Sequence, residues 1–154
     1  MIIQGKAKIL SLFSVIILLV AVLSACGSPA GTSPVAGRPN VPADRVDVVY
    51  FHREQRCYSC LYAETELRYT LETYFVDELA SGKIVFQVIS LEDTANAEIV
   101  RKYRASFSFL YMTSVIDGTE YIEPVTEIWQ FIGDDSAFVQ VVKDKVEARL
   151  RGTS

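Results

Sequence analysis

Cys57 and Cys60 are the residues whose type and spacing most directly specify chemistry in this chain. They enclose Tyr58-Ser59 as Cys-x-x-Cys, after a β-branched and aromatic run, Val46 to Phe51, and before a stretch of helical periodicity. The pair therefore falls at a strand-to-helix junction, where a Cys-x-x-Cys reads as a thiol–disulfide redox motif. The physical reason is position. A cysteine at a helix N-terminus faces unpaired backbone N–H groups and the positive end of the dipole, and both favour thiolate. Arg56, directly before the pair, and Arg53 add positive charge. Cys57 is expected to be the more exposed sulfur and the nucleophile. Cys60, one turn further in, is expected to resolve the mixed disulfide.

The same residues admit other uses. A structural disulfide across so short a loop constrains the unfolded chain little. A soft metal or metalloid needs three or four ligands, and the chain has one histidine, His52, at the end of the first strand. The alternative metal set is therefore Cys57, Cys60 and His52, with Glu54 as a fourth ligand. His52 is read first as a polar strand-end residue beside the redox pair, because a lone histidine is a weak ligand signal. One histidine also supports no Ser-His-Asp arrangement. Redox use of the pair needs no cofactor, and no glycine-rich cofactor loop or flavin-site signal is present. Glu64, Glu66 and Glu72 read as the solvated face of the helix after the pair. Tyr58, Tyr62 and Tyr69 on that helix read as core or rim packing, with a recognition surface around the cysteines as the alternative.

The third cysteine, Cys26, belongs to a different pattern. Lys6 and Lys8 precede an apolar run from Ile9 to Leu23, followed by Ser24, Ala25 and Cys26. This is the layout of a secretory signal peptide over residues 1–25. The run is shorter than the ~20 residues of a comfortable membrane span. Leu23-Ser24-Ala25-Cys26 resembles the lipobox of bacterial lipoproteins. That resemblance implies cleavage before Cys26, a diacylated sulfur, and a chain held on the outer side of a cell membrane. Two or more acyl chains on one residue anchor a protein stably where one does not. Lipidation also removes Cys26 from the thiol count, leaving Cys57 and Cys60 as an isolated pair.

Gly27 to Asp44 (GSPAGTSPVAGRPNVPAD) is rich in Gly and Pro and has no aromatic residue. Residues 26–44 are therefore expected to be the lipidated cysteine and a flexible linker, with an r.m.s. reach of about 24 Å. An ordered strap lying on the domain is the alternative. The chain carries 15 Lys+Arg and 19 Asp+Glu; two of the lysines lie in residues 1–25, which hold no acid, so the remainder carries −6. A mildly acidic protein without a basic patch has no electrostatic reason to bind nucleic acid.

Residues 45–154 are enough for one compact domain. Ile84 to Ile89 is a second strand of buried type. Tyr58 to Ala80 carries Leu61, Leu67, Leu71, Tyr74, Phe75 and Leu79 at helical spacing, ending at Ser81-Gly82. Asp93 or Thr94 caps a short helix to about Tyr103. Phe107 to Ile116 is a third strand, Asp117-Gly118 a hairpin turn, and Thr119 to Glu123 a fourth strand. Pro124 is placed to open a helix carrying Ile128, Trp129 and Ile132, and Asp134 or Asp135 caps a last helix to Leu150. Each strand–helix–strand unit predicts parallel pairing and the hairpin an antiparallel pair. The expectation is an α/β domain: a mixed four-stranded sheet in the order β-α-β-α-β-β-α with helices on both faces, the thioredoxin-like layout.

The strand ending in Phe51-His52, the Arg56-Cys57-x-x-Cys60 turn, the long helix and the Asp-Gly hairpin together resemble the thioredoxin-like superfamily. With the stretch Ile128-Trp129-Gln130-Phe131-Ile132-Gly133-Asp134, the nearer resemblance is to the nitrophenyl compound nitroreductase subunit family of ArsF type, over roughly Val46 to Leu150. This implies a redox-active pair acting with a partner protein. Measured against thioredoxins, Arg56 stands where a Trp precedes the first cysteine, and Tyr58-Ser59 replaces Gly-Pro. Straight counting puts the position of the buried acid at Phe51. The position of the cis-proline falls near Ser106 to Leu110, where no proline is present.

Overall fold

Strand β1 (Arg45–His52) is buried at every position except its two ends, which explains why its apolar run is continuous rather than alternating. In the computed structural model, which describes residues 37–153, β1 lies inside a sheet of order β2-β1-β3-β4. The signal segment, Cys26 and the linker as far as residue 36 lie outside the described residues. Strand β2 (Ile84–Ser90) runs parallel to β1, and β3 (Phe109–Ile116) runs antiparallel to it. Strand β4 (Thr119–Pro124) closes a hairpin with β3 through Asp117-Gly118, both with φ in the left-handed region.

The antiparallel setting of β3 differs from the sequence expectation for its strand–helix–strand unit. A crossover that returns a strand parallel must travel the length of the sheet, about 26 Å for eight residues. The helix in this connection, α3 (Ala97–Tyr103), spans only about 10 Å, and the chain enters β3 at the sheet end where β1 finishes, with Phe109 opposite Phe51.

Side chains of β1 alternate between two cores. Val46, Val48 and Tyr50 pack with Leu67 and Leu71 of α1 (Tyr58–Tyr74) and with Phe138, Val142 and Val146 of α4 (Asp135–Arg151). Val49 and Phe51 face the other way, onto Tyr103 at the end of α3 and Ala105 just after it. Helices therefore cover both faces. The strand order, directions and connections are those of a thioredoxin-like α/β fold.

Three local differences from the sequence reading have physical causes. The helix expected over Tyr58 to Ala80 breaks at Phe75 (φ −133°, ψ 36°), which buries that ring in the core; a short α2 (Val76–Ala80) follows. Pro124 ends β4 instead of opening a helix: it sits on an edge strand opposite Tyr111, where its missing N–H breaks no ladder, and a 3-10 turn over Glu127–Phe131 follows. Leu61 and Tyr74, assigned to the core face of α1 from spacing, are exposed.

Within the segment expected to be a flexible linker, residues 38–44 lie against the domain. Arg38 donates to the Thr153 carbonyl (2.6 Å), the Ala43 amide donates to the Arg149 carbonyl (3.0 Å), and Lys83 donates to the Ala43 carbonyl (2.6 Å). Gly152, at φ +70°, ends α4 where the strap backbone of Val41 and Pro42 passes so closely that a Cβ would overlap it. Composition alone did not reveal this strap, because backbone hydrogen bonds, one arginine and a single small core residue, Ala43, hold it rather than a run of large apolar side chains. No described helix is long and apolar enough to cross a membrane.

Candidate functional site: a dithiol at a helix N-terminus

Cys57 is the N-cap of α1, with extended backbone (φ −84°, ψ 168°), and its carbonyl accepts from the amides of Cys60 and Leu61, each at 3.1 Å. No side chain caps this helix end, so the unpaired amides of its first turn and the positive end of its dipole lie beside the pair. The three-residue spacing puts Cys60 one turn in, and the two Sγ atoms stand 2.7 Å apart as free thiols. Cys57 is exposed and Cys60 partly buried, as the sequence order predicts.

Two hydroxyls lie beneath Cys60. Tyr50, fully buried on β1, donates from its Oη to the Cys60 carbonyl (3.1 Å) and lies within reach of its sulfur. Ser108, just before β3, faces the same sulfur. Burial pushes the Cys60 thiol up, but hydrogen bonds from the Cys57 thiol, the Ser108 hydroxyl, the Cys57 amide and Tyr50 more than offset it, leaving Cys60 below the ordinary thiol value. Burial pushes the Tyr50 phenol well above its ordinary value, helped by the neighbouring Cys60 and opposed by Arg56. Tyr50 therefore stays protonated and acts as a donor through the physiological range.

The count that placed a buried acid at Phe51 meets a different geometry. Phe51 points to the opposite core, against Tyr103 and Tyr111, and the residue beneath the cysteines is Tyr50. Sequence reasoning missed Tyr50 because β1 is apolar on both faces, so period-two alternation does not tell one face from the other. It missed Ser108 because a single serine before a strand carries no pattern. All peptide bonds of the described residues are trans.

The loop from β1 to the dithiol is held from the sheet side. His52 sets its own loop: its Nδ1 pairs with the Arg53 carbonyl (2.9 Å), and its carbonyl accepts from the Leu91 amide (2.9 Å). Glu92, not singled out from sequence, accepts from the Glu54 amide (3.1 Å) and pairs with Arg53 (3.4 Å). Arg56, expected to lend its charge to Cys57, is ion-paired with Glu64, which correspondingly is not a solvated glutamate. Glu66 lies where burial and then the charge of Asp135 push its carboxyl up. Glu72 is exposed and pairs loosely with Arg68. An open polar cavity of about 420 Å³, lined by Arg53, Gln55, Arg56, Cys57 and Glu92, lies beside the exposed sulfur.

The alternative metal set does not assemble. Among the described residues no three His, Cys, Asp or Glu side chains are grouped to hold a metal ion, so His52 and Glu54 do not join the two sulfurs. Exposed apolar residues next to the two cysteines in the chain, Tyr58 (72% exposed) and Leu61 (50%), with Phe107 (70%) next to Ser108, add an apolar part to a rim that is polar along the cavity. Tyr62 is partly buried and donates to Asp135 (2.7 Å), and Tyr69 is exposed. Trp129 packs beside Phe109 (ring centroids 6.5 Å apart) at the core margin.

What the fold and site define is a thioredoxin-like α/β domain carrying a dithiol at the N-terminus of its first helix. No family model matches the chain, and no curated protein matches it. Among solved structures it is similar to a thioredoxin from Thermus thermophilus, at 18% identity over 68% of this chain and 76% of that one, with a TM-score of 0.44. It is also similar to a thioredoxin-like protein from Clostridium perfringens, at 14% identity over 80% and 90% of the two chains, with a TM-score of 0.40. The fold assignment rests on strand order and connection, not on these distant likenesses.

Proposed function

We propose that this chain is a thiol–disulfide oxidoreductase, or an electron-passing subunit of a redox complex, working through Cys57 and Cys60. The observation that carries this reading is the contact of two free sulfurs, one exposed and one partly buried, at an uncapped helix N-terminus. Cys57 as thiolate attacks one sulfur of a partner disulfide. That S–S bond breaks, a Cys57–partner bond forms, and the partner's other sulfur leaves as thiolate. Cys60 thiolate then attacks the Cys57 sulfur, closing the Cys57–Cys60 bond and releasing the second partner sulfur. The partner has gained two electrons and takes up two protons, and the pair has lost two electrons. The steps run equally in reverse, with direction set by the two potentials.

The exposed Cys57 sulfur suits a partner that brings its own sulfur. The signal-peptide and lipobox patterns support an anchor at Cys26 and a place on the outer side of a cell membrane, where disulfides persist. The resemblance to ArsF-type subunits supports an electron-passing role beside a dedicated partner. Insulin reduction by the full chain in detergent, compared with Cys57→Ser, tests the redox reading. Thiol-dependent turnover lost in the variant is expected; no turnover by the wild type with either dithiothreitol or a protein dithiol as donor would overturn it.

A further inference from the structure

We propose that Tyr50 is a positioning residue of the dithiol, an uncharged donor whose single proton moves between the Cys60 carbonyl and the Cys60 sulfur as that sulfur changes state. This deepens, and rests on, the redox reading of the pair. The tyrosine is fully buried near the C-terminal end of β1, a strand paired on both sides, and its hydroxyl is aimed at Cys60. It has one proton and two acceptors in reach. In the dithiol the hydroxyl donates to the carbonyl, at 3.1 Å, and when Cys60 is in a disulfide its sulfur is a weak acceptor and the hydroxyl stays there. When Cys60 is a thiolate, the sulfur carries a full charge in a partly buried place and becomes the stronger acceptor.

The other ionisable groups facing this hydroxyl are Cys57 and Cys60 themselves and Arg56, whose charge is held by Glu64. No carboxylate is among the groups that set the Tyr50 ionisation. A donor that helps thiolate and not disulfide stabilises the reduced pair and makes it the better oxidant. Because the donor is neutral and stays protonated, it does so without adding a titration of its own near neutral pH. Ser108 donates to the same sulfur from the loop before β3 and shares in holding its charge, but it is not buried on the central sheet as Tyr50 is.

The test uses the full chain in detergent, equilibrated with reduced and oxidised glutathione, comparing wild type with Tyr50→Phe and Ser108→Ala. The exchange of a charge-assisted for a neutral hydrogen bond corresponds to about tenfold in the thiol–disulfide equilibrium. Tyr50→Phe is expected to shift that equilibrium about tenfold toward disulfide, equivalent to about 30 mV. The pH profile of iodoacetamide alkylation at Cys60 should move upward by about one unit. A folded Tyr50→Phe variant within twofold of wild type in both readouts overturns the proposal, as does Ser108→Ala carrying the whole effect. If Tyr50→Phe does not fold, replacing the tyrosines by 3-fluorotyrosine, a stronger donor of similar shape, must shift the equilibrium toward dithiol, and no shift overturns it. Glutathione equilibration needs no protein substrate. Failure of insulin reduction with an intact Tyr50 effect therefore counts against the oxidoreductase reading alone.

Discussion

Replacing Gly152 by alanine places a methyl group inside the backbone of the strap. Two costs add. Gly152 sits at φ +70°, where an L-residue is disfavoured by about 1–2 kcal/mol. Its new Cβ would overlap the Val41 and Pro42 backbone, which does not yield as a side-chain end would. Moving the strap aside sacrifices the Ala43–Arg149 backbone bond and loosens the Arg38–Thr153 contact, at about 1 kcal/mol for the first and less for the exposed second. The expected loss is about 2–4 kcal/mol, a fall in Tm on the order of 10 °C. Gly82 provides the control: its φ is +75°, but nothing lies within 4 Å of its Cβ position. Urea unfolding of Gly152→Ala beside Gly82→Ala isolates the steric part. Equal losses in the two variants would refute the claim that the strap packs against the end of α4. Limited proteolysis near residues 38–44 should also quicken in Gly152→Ala and not in Gly82→Ala.

Further expectations concern the site and its support. Because the folded Cys60 thiol lies below its ordinary value of 9.0, its contribution to the reduced protein is complete above that value and is lost as pH falls through the folded value. Denaturation of reduced protein from pH 6 to 9 should thus show stability rising relative to Cys60→Ala; the disulfide form should lack that rise, and a parallel rise in both would contradict it. Arg149 is buried, and burial pulls its pKa down against its pairing with Glu123 (2.7 Å). Glu123→Gln strands that charge beside Arg38; with the carboxylate 42% exposed, the loss should be about 1–2 kcal/mol in urea, and a loss equal to that of Glu72→Gln would count against it. Tyr58→Ala and Leu61→Ala remove exposed rim residues, so stability should stay within about 0.5 kcal/mol. Reduction of a protein disulfide should slow at least threefold while reaction with a small disulfide is unchanged, and equal slowing of both would refute a docking role for the rim.

Much of this molecule is written in local pattern. The order of strands and helices, the placement of Cys57 at a strand-to-helix junction, the relative exposure of the two sulfurs and the Asp117-Gly118 hairpin all follow from periodicity, turn chemistry and spacing, which act over a few residues. The anchor pattern ending at Cys26 likewise belongs to the sequence alone, since it lies outside the described residues. What tertiary structure decided are the relations between distant segments. It set β3 antiparallel to β1, with the chain entering β3 at the sheet end where β1 finishes. It turned Arg56 away from a purely local role by giving it Glu64, and it tied residues 38–44 to the end of α4. It kept His52 and Glu54 apart from any metal-holding group with the cysteines, despite their nearness in sequence. Above all it chose Tyr50 over Phe51 as the residue beneath the dithiol. In a strand buried on both faces, adjacent aromatic residues are equivalent in pattern, and only the helix that packs above one face assigns a hydroxyl to a sulfur.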